Sequence, residues 1–138
     1  MLSIKLLKIN IHSTKIRVRY GETDQMGVVY HANYAQYFEV GRTEWLRNLG
    51  ITYALMEEQG VMLPVISLKV DYKKPAKYDD LLEVKTQLIE TPSVRIKFYY
   101  EILNQDNEIL VTGLTELVFI DRAKNRPMRC PQSILDRL

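Results

Sequence analysis

The chain has 138 residues, 46% of them hydrophobic and 26% charged, with a formal net charge of +2. That is the make-up of one soluble globular domain long enough to bury its own core, and it excludes a basic nucleic-acid-binding surface. The single cysteine, Cys130, excludes an internal disulfide, and no Cys/His cluster has metal-ligand spacing.

The opening segment MLSIKLLKINIHS is broken by Lys5 and Lys8 and carries no cleavage pattern, so it reads as an N-terminal extension over 1–13 rather than a leader. No apolar run is long enough to span a bilayer. The expected location is cytoplasmic. KIRVRY, 15 to 20, alternates and predicts a half-buried strand with Ile16, Val18 and Tyr20 on its inner face.

After the loop GETDQMGVVYHA the period changes. Tyr34, Tyr37, Phe38, Gly41, Trp45 and Leu49 fall on one helical stripe. Asn33 is the expected N-cap and Gly50 the C′ residue, which gives about 16 residues or roughly 24 Å. A second short helix is expected from a Thr52 cap to Gln59, stopped by Gly60. Four strands follow: VISLKVDY, LLEVKTQLIE, SVRIKFYYEI and EILVTGLTELVFI. The last is apolar on nearly both faces and belongs inside a sheet. Short turns between them suggest an antiparallel meander, and the 122–138 segment reads as a C-terminal tail. One long aromatic helix against such a sheet predicts an α+β fold with the sheet curled round the helix.

The loop carries the chemistry. A helix start leaves N–H groups unpaired and partly positive, a ready site for a developing oxyanion. The N–H groups of Val29, Tyr30, His31 and Ala32 lie just ahead of it. Asp24, seven residues before His31, is a carboxylate able to attack an acyl carbon or activate water. Gly27 permits a tight turn. From these residues alone, a plain turn or capping role for Asp24 and a satisfied loop histidine remain open.

The stretch RVRYGETDQMGVVYHANYAQYFEVGRTEWL, 17 to 46, closely resembles the signature of the hotdog-fold acyl-CoA thioesterases. Its order of Thr-Asp, Gly-Val-Val-Tyr, His-Ala-Asn-Tyr, Phe-Glu and Gly-Arg is most similar to the 4-hydroxybenzoyl-CoA thioesterase family. Within that family it is nearest the bacterial acyl-CoA hydrolases associated with the Tol–Pal cluster. VDYKKPAKYDD, 70 to 80, resembles the strand and turn after the second helix, and the likeness runs from about Thr14 to Asp121. The resemblance implies a hotdog fold, an antiparallel sheet wrapped round the long helix. It implies hydrolysis of acyl-CoA to free acid and CoA without a metal or other cofactor, with Asp24 as general base or nucleophile. The His31 N–H would polarise the carbonyl, and Tyr20 and the His31 side chain would flank the aspartate. Gly27, Val28, Tyr30 and Tyr34 would meet the substrate. It implies a homo-oligomer, a dimer or a dimer of dimers (homotetramer), joined edge to edge.

Three alternatives accompany this reading. An acyl-ACP hydrolase would use another carrier. A dehydratase would work through His31 and Glu39, and in another hotdog branch a helix glutamate such as Glu39 carries the hydrolysis. A non-catalytic acyl-CoA binding protein would not need Asp24. The clusters Lys73, Lys74, Lys77 and Arg122, Lys124, Arg126, Arg129 are candidate contacts for CoA phosphates.

Overall fold

The computed structural model describes residues 10–138. Most of the opening segment, 1–9, lies outside the described residues. Strand β1 (Ile11–Arg17) is followed by a single 3₁₀ turn (Tyr20–Glu22) and the long helix α1 (Asn33–Asn48). Then come the short helix α2 (Tyr53–Glu58) and strands β2 (Val61–Met62), β3 (Val65–Tyr72), β4 (Leu81–Leu88), β5 (Arg95–Leu103) and β6 (Ile109–Val118). The chain closes with β7 (Ile120–Asp121), β8 (Arg126–Pro127) and a last turn of helix, α3 (Gln132–Leu135).

The main sheet has the order β1-β4-β5-β6-β3, with every neighbour antiparallel. Only β4, β5 and β6 form a meander. The sequence-based expectation of four consecutive strands is corrected at β3, which lies at the far edge beside β6. Both sides of β4 are already taken by β1 and β5, and the 73–80 connection is long enough to carry the chain across. β6 thereby gains a neighbour on each side, as its two apolar faces require.

Two boundaries also differ. β1 begins at Ile11, inside the expected extension, and ends at Arg17. Tyr20 lies beyond it, in the 3₁₀ turn, and is 78% exposed rather than on an inner strand face. Nor is Asn33 the N-cap. It is the first helical residue, and Ala32 before it has helical torsions and no capping side chain. The Asn33 amide is engaged elsewhere, as described below. The other end matches its pattern: Gly50 has φ +83°, its N–H bonds to Arg47 O, and the Ile51 N–H bonds to Leu46 O. This is the Schellman ending that glycine favours. Thr52 caps α2 by accepting from the Leu55 N–H.

α1 lies across one face of the sheet. Tyr34, Tyr37, Phe38, Trp45 and Leu46 are buried against Leu82, Val84, Ile96, Phe98, Ile102 and Leu117, among others. Phe38 stacks on Tyr100 at 4.4 Å between centroids, and Trp45 meets Phe98 edge-on at 5.0 Å. The helix sinks deepest over one row of the sheet, His12–Thr86–Tyr100–Gly113–Val70. Two glycines make that approach possible. Gly113 lies under the Phe38 ring, and Gly41 of α1 faces Thr86 Oγ1 and Val84 Cγ1, where a Cβ would stand 2.8 Å from the latter. The C-terminal segment is part of the core: Cys130 and Ile134 are buried, and burial pushes the Cys130 thiol up to about 11.

Gly41→Ala improves helix propensity but forces a methyl into this contact. We expect a net loss of about 1–3 kcal/mol in urea unfolding. A second change, Thr86→Ala, should return part of it, because the pair share one gap; simple additivity of the two would refute the close-approach account.

Candidate active site at the start of the long helix

The loop between β1 and α1 is built on Glu22. Its Oε1 accepts from the Arg19 N–H at 2.9 Å and from the Tyr37 hydroxyl at 3.0 Å. Its Oε2 accepts from Arg19 Nε at 3.2 Å and Nη2 at 2.9 Å. Its carbonyl accepts from the Tyr30 N–H at 2.9 Å and from Asn33 Nδ2 at 2.8 Å. One residue thus ties the 3₁₀ turn, the approach to the helix and the helix itself together. Burial opposes the charge on Glu22, but the hydrogen bonds from the Arg19 backbone, the Arg19 guanidinium and Tyr37 outweigh it and hold the carboxyl below its ordinary value. The same burial and bond push the Tyr37 hydroxyl far up.

Asp24 opens a tight turn. The Gly27 N–H bonds to Asp24 O at 3.0 Å, the Asp24 N–H to Val28 O at 2.8 Å, and Thr23 bridges Val29. Gly27 has φ +78°, the conformation that calls for glycine. Asp24 Oδ1 accepts from the Met26 N–H at 2.8 Å, which fixes the carboxylate in an Asx turn. Oδ2 accepts no hydrogen bond from a described residue, and the side chain is half-buried. Val28 bridges Lys77 on the 73–80 connection, and the Val29 N–H bonds to Ala76 O at 2.8 Å. The turn is therefore anchored on both sides.

At the helix start, the N–H groups of His31 and Ala32 find no acceptor among the described residues. The His31 carbonyl accepts from the Tyr72 hydroxyl at 3.1 Å, and its ring tilts against Tyr30 at 4.5 Å. An open cleft of about 200 Å³ lies here, walled by Val29, His31, Tyr34, Tyr72, Lys73 and Pro75, among others. Tyr34 forms its floor. The Tyr34 hydroxyl accepts from the Ala76 N–H at 3.1 Å, so the ring rather than the oxygen faces the cleft, edge-on to Tyr72 at 5.6 Å.

Of the residues singled out in the sequence, His31 and Tyr34 line the cleft. Asp24, Gly27 and Val28 form the adjoining turn and are not among its walls. Tyr30 is 48% exposed at the rim. Tyr20 is 78% exposed, and its ring meets Tyr78 edge-on at 5.7 Å. Glu39 lies farther along α1, 3.9 Å from Arg42 Nη2. Local reasoning missed Tyr72 and Glu22. Tyr72 stands 41 residues from the carbonyl it binds, so no local spacing signals the pairing. Glu22 is visible as part of Glu-Thr-Asp; Asp24 takes the turn role expected of it, and Glu22 adds the clamp to Arg19, Tyr37 and Asn33 that local spacing does not signal.

Glu22 titrates lower in the folded protein than in the unfolded chain. Its contribution to stability is therefore complete above the unfolded carboxyl pKa and fades as pH falls through the folded value. We expect Glu22→Gln to cost about 1–3 kcal/mol at neutral pH. The gap to the parent protein should close below about pH 4, read from unfolding midpoints across pH. A gap that persists unchanged in acid would rule out the ionic clamp.

Comparison with known proteins agrees with this architecture. The profile of the thioesterase-like superfamily matches residues 18–138. The chain is 38% identical over 127 residues to the acyl-CoA thioesterase YbgC of Haemophilus influenzae, covering 91% of this chain and 92% of that one. It is 34% identical over 120 residues to the acyl-CoA thioester hydrolase YbgC of Escherichia coli, covering 87% and 90%. Among solved structures, a DHNA-CoA thioesterase from Staphylococcus aureus superposes with a TM-score of 0.85 at 42% identity, over 91% of this chain and 85% of that one. The antiparallel sheet round one long helix is the hotdog fold, and the chain belongs to the thioesterase-like superfamily as a thioester hydrolase.

Proposed function

We propose that the protein hydrolyses an acyl-CoA thioester to a free carboxylic acid and CoA, with Asp24 as its working carboxylate. The observation that carries this reading is that the His31 and Ala32 N–H groups, and Oδ2 of Asp24 on the adjoining turn, have no hydrogen-bond partner among the described residues. Met26 holds Oδ1, so the other oxygen is presented without loss of side-chain freedom during reaction. In the hydrolytic step Asp24 takes a proton from water. The water oxygen bonds to the acyl carbon, and the carbonyl oxygen gains negative charge against the His31 N–H and the positive end of α1. The C–S bond then breaks, and the proton returns to the CoA sulfur. Direct attack by Asp24 on the acyl carbon would use the same oxygen from the same place.

The carrier fits CoA by the character of the rim. Lys73 lines the cleft and enters no ion pair among the described residues, whereas its neighbour Lys74 is paired with Glu108. Lys73 is thus the better candidate for a phosphate contact. The relatives named above are an acyl-CoA thioesterase, an acyl-CoA thioester hydrolase and a DHNA-CoA thioesterase. A panel of aliphatic and aromatic acyl-CoAs therefore comes before acyl-ACP. Tyr20 acts at most from the rim.

The same reading includes a second copy of the chain. β3 is an open edge, and along it Val65, Ile66, Leu68 and Tyr72 are 42%, 48%, 47% and 54% exposed. An unpaired strand with so many apolar side chains is a template for edge-to-edge pairing.

Asp24→Asn should lower kcat about 10²–10⁴-fold in a free-thiol assay while unfolding stays cooperative. Tyr20→Phe should cost far less. Equal turnover in Asp24→Asn and the parent would remove Asp24 from the reaction. Leu68→Lys should turn the oligomer into monomers by sedimentation velocity; an unchanged sedimentation coefficient would place the interface elsewhere.

A further inference from the structure

The cleft at the helix start is closed by two tyrosines, one from each wall. Tyr34 comes from α1 and is 2% exposed, and Tyr72 comes from the end of β3. Their rings meet edge-on, 5.6 Å between centroids. A second hollow lies farther along the seam between α1 and β3, lined by Ala35, Gln36, Glu39, Val65 and Leu68, among others. It shares no lining residue with the first. The two rings stand where a chain running from one hollow to the other would have to pass.

Both rings are pinned. The Tyr34 hydroxyl accepts from the Ala76 N–H at 3.1 Å, and the Tyr72 hydroxyl donates to the His31 carbonyl at 3.1 Å. Ala76 is fully buried, so moving Tyr34 would leave an enclosed N–H without an acceptor. Behind Tyr34 stands Tyr37, edge-on at 5.8 Å and itself tied through its hydroxyl to Glu22. The stop is thus backed by packed core, which does not yield as a surface side chain does. The room in front of it is about 200 Å³. An apolar cavity of about 150 Å³ holds a benzene molecule, so the cleft accommodates one ring or a short chain. A dodecanoyl group has twice the carbon atoms of that ring.

We propose that the Tyr34–Tyr72 pair is the acyl-length stop of the thioester site, and that the enzyme takes compact acyl groups, a short chain or a single ring, in preference to long ones. This rests on the hydrolase reading given above and adds to it the class of acyl group. With the thioester carbonyl at the His31 N–H, the acyl group is measured from that point to the Tyr34 ring. A longer group enters only if the rings part, and parting them breaks the bonds to Ala76 and His31. Pairing along β3 would cover the outer flank of Tyr72 without reaching Tyr34, which is buried within its own chain.

The test is kcat/KM for benzoyl-, hexanoyl- and dodecanoyl-CoA, read by thiol release in the parent, Tyr34→Ala and Tyr72→Leu. The quantity compared is the dodecanoyl-to-benzoyl ratio within each protein, so damage common to all substrates cancels. The parent should favour benzoyl-CoA and hexanoyl-CoA over dodecanoyl-CoA about tenfold or more. Tyr34→Ala removes the stop and should raise the ratio about tenfold or more. If that variant shows no cooperative unfolding, Tyr72→Leu decides, because its position is 54% exposed and tolerates the change; the ratio should rise about 3–10-fold. A parent that turns over dodecanoyl-CoA as well as benzoyl-CoA, or a ratio unchanged in the variant that folds, would overturn the stop and leave the hydrolase reading standing. A parent that releases no thiol from any of the three would remove both.

Discussion

The geometry at the helix start hangs on Glu22, through its carboxylate and its backbone carbonyl. A loop of ten residues between a 3₁₀ turn and a helix has many ways to lie, and each fixed residue costs about 1–2 kcal/mol of backbone entropy. Glu22 offsets this by collecting donors from three places at once: Arg19 before it, Tyr30 and Asn33 after it, and Tyr37 one turn inside α1. Asn33 is drawn away from the capping role by the same residue. The consequence is a helix approach on which the His31 and Ala32 N–H groups find no acceptor among the described residues, instead of being closed by an asparagine or serine oxygen. In most proteins that would be a small loss of stability. Here it leaves a partly positive helix start beside the cleft, on the chain segment that follows the Asp24 turn.

Much of the architecture is legible in the residues. The spacing of Tyr34, Tyr37, Phe38, Gly41 and Trp45 defines both the length and the buried face of α1. The Gly50 and Thr52 signals mark where one helix stops and the next begins. The inner positions of β4 and β5 follow their alternation. Strand order is where local pattern runs out. Whether β3 lies beside β4 or β6 depends on which edges are already filled, and nothing within VISLKVDY encodes that. Tyr20 fails for a related reason: its alternation with Ile16 and Val18 continues past the point at which the chain leaves the sheet. Arg42 was hidden because a lone arginine on a helix usually faces solvent, and only the packed sheet shows it enclosed.

The site divides in the same manner. Asp24, Gly27 and His31 announce themselves through an ordered motif, since a turn and a helix start are local structures. The walls do not. Tyr72, Lys73 and Pro75 arrive from the far end of β3, held in place by Ala76, whose N–H meets the Tyr34 hydroxyl and whose carbonyl meets the Val29 N–H. The 73–80 connection is therefore more than a link between strands. It is the second half of the cleft.

One bond in that arrangement reaches further. The Tyr72 hydroxyl that grips the His31 carbonyl belongs to the last residue of the open edge strand. The His31 N–H, the group proposed to meet the thioester carbonyl, belongs to the peptide just before that carbonyl. The bond ties the margin of the sheet to the backbone at the start of α1. On the proposed reading, the margin of the sheet is a support of the oxyanion site although it touches no substrate.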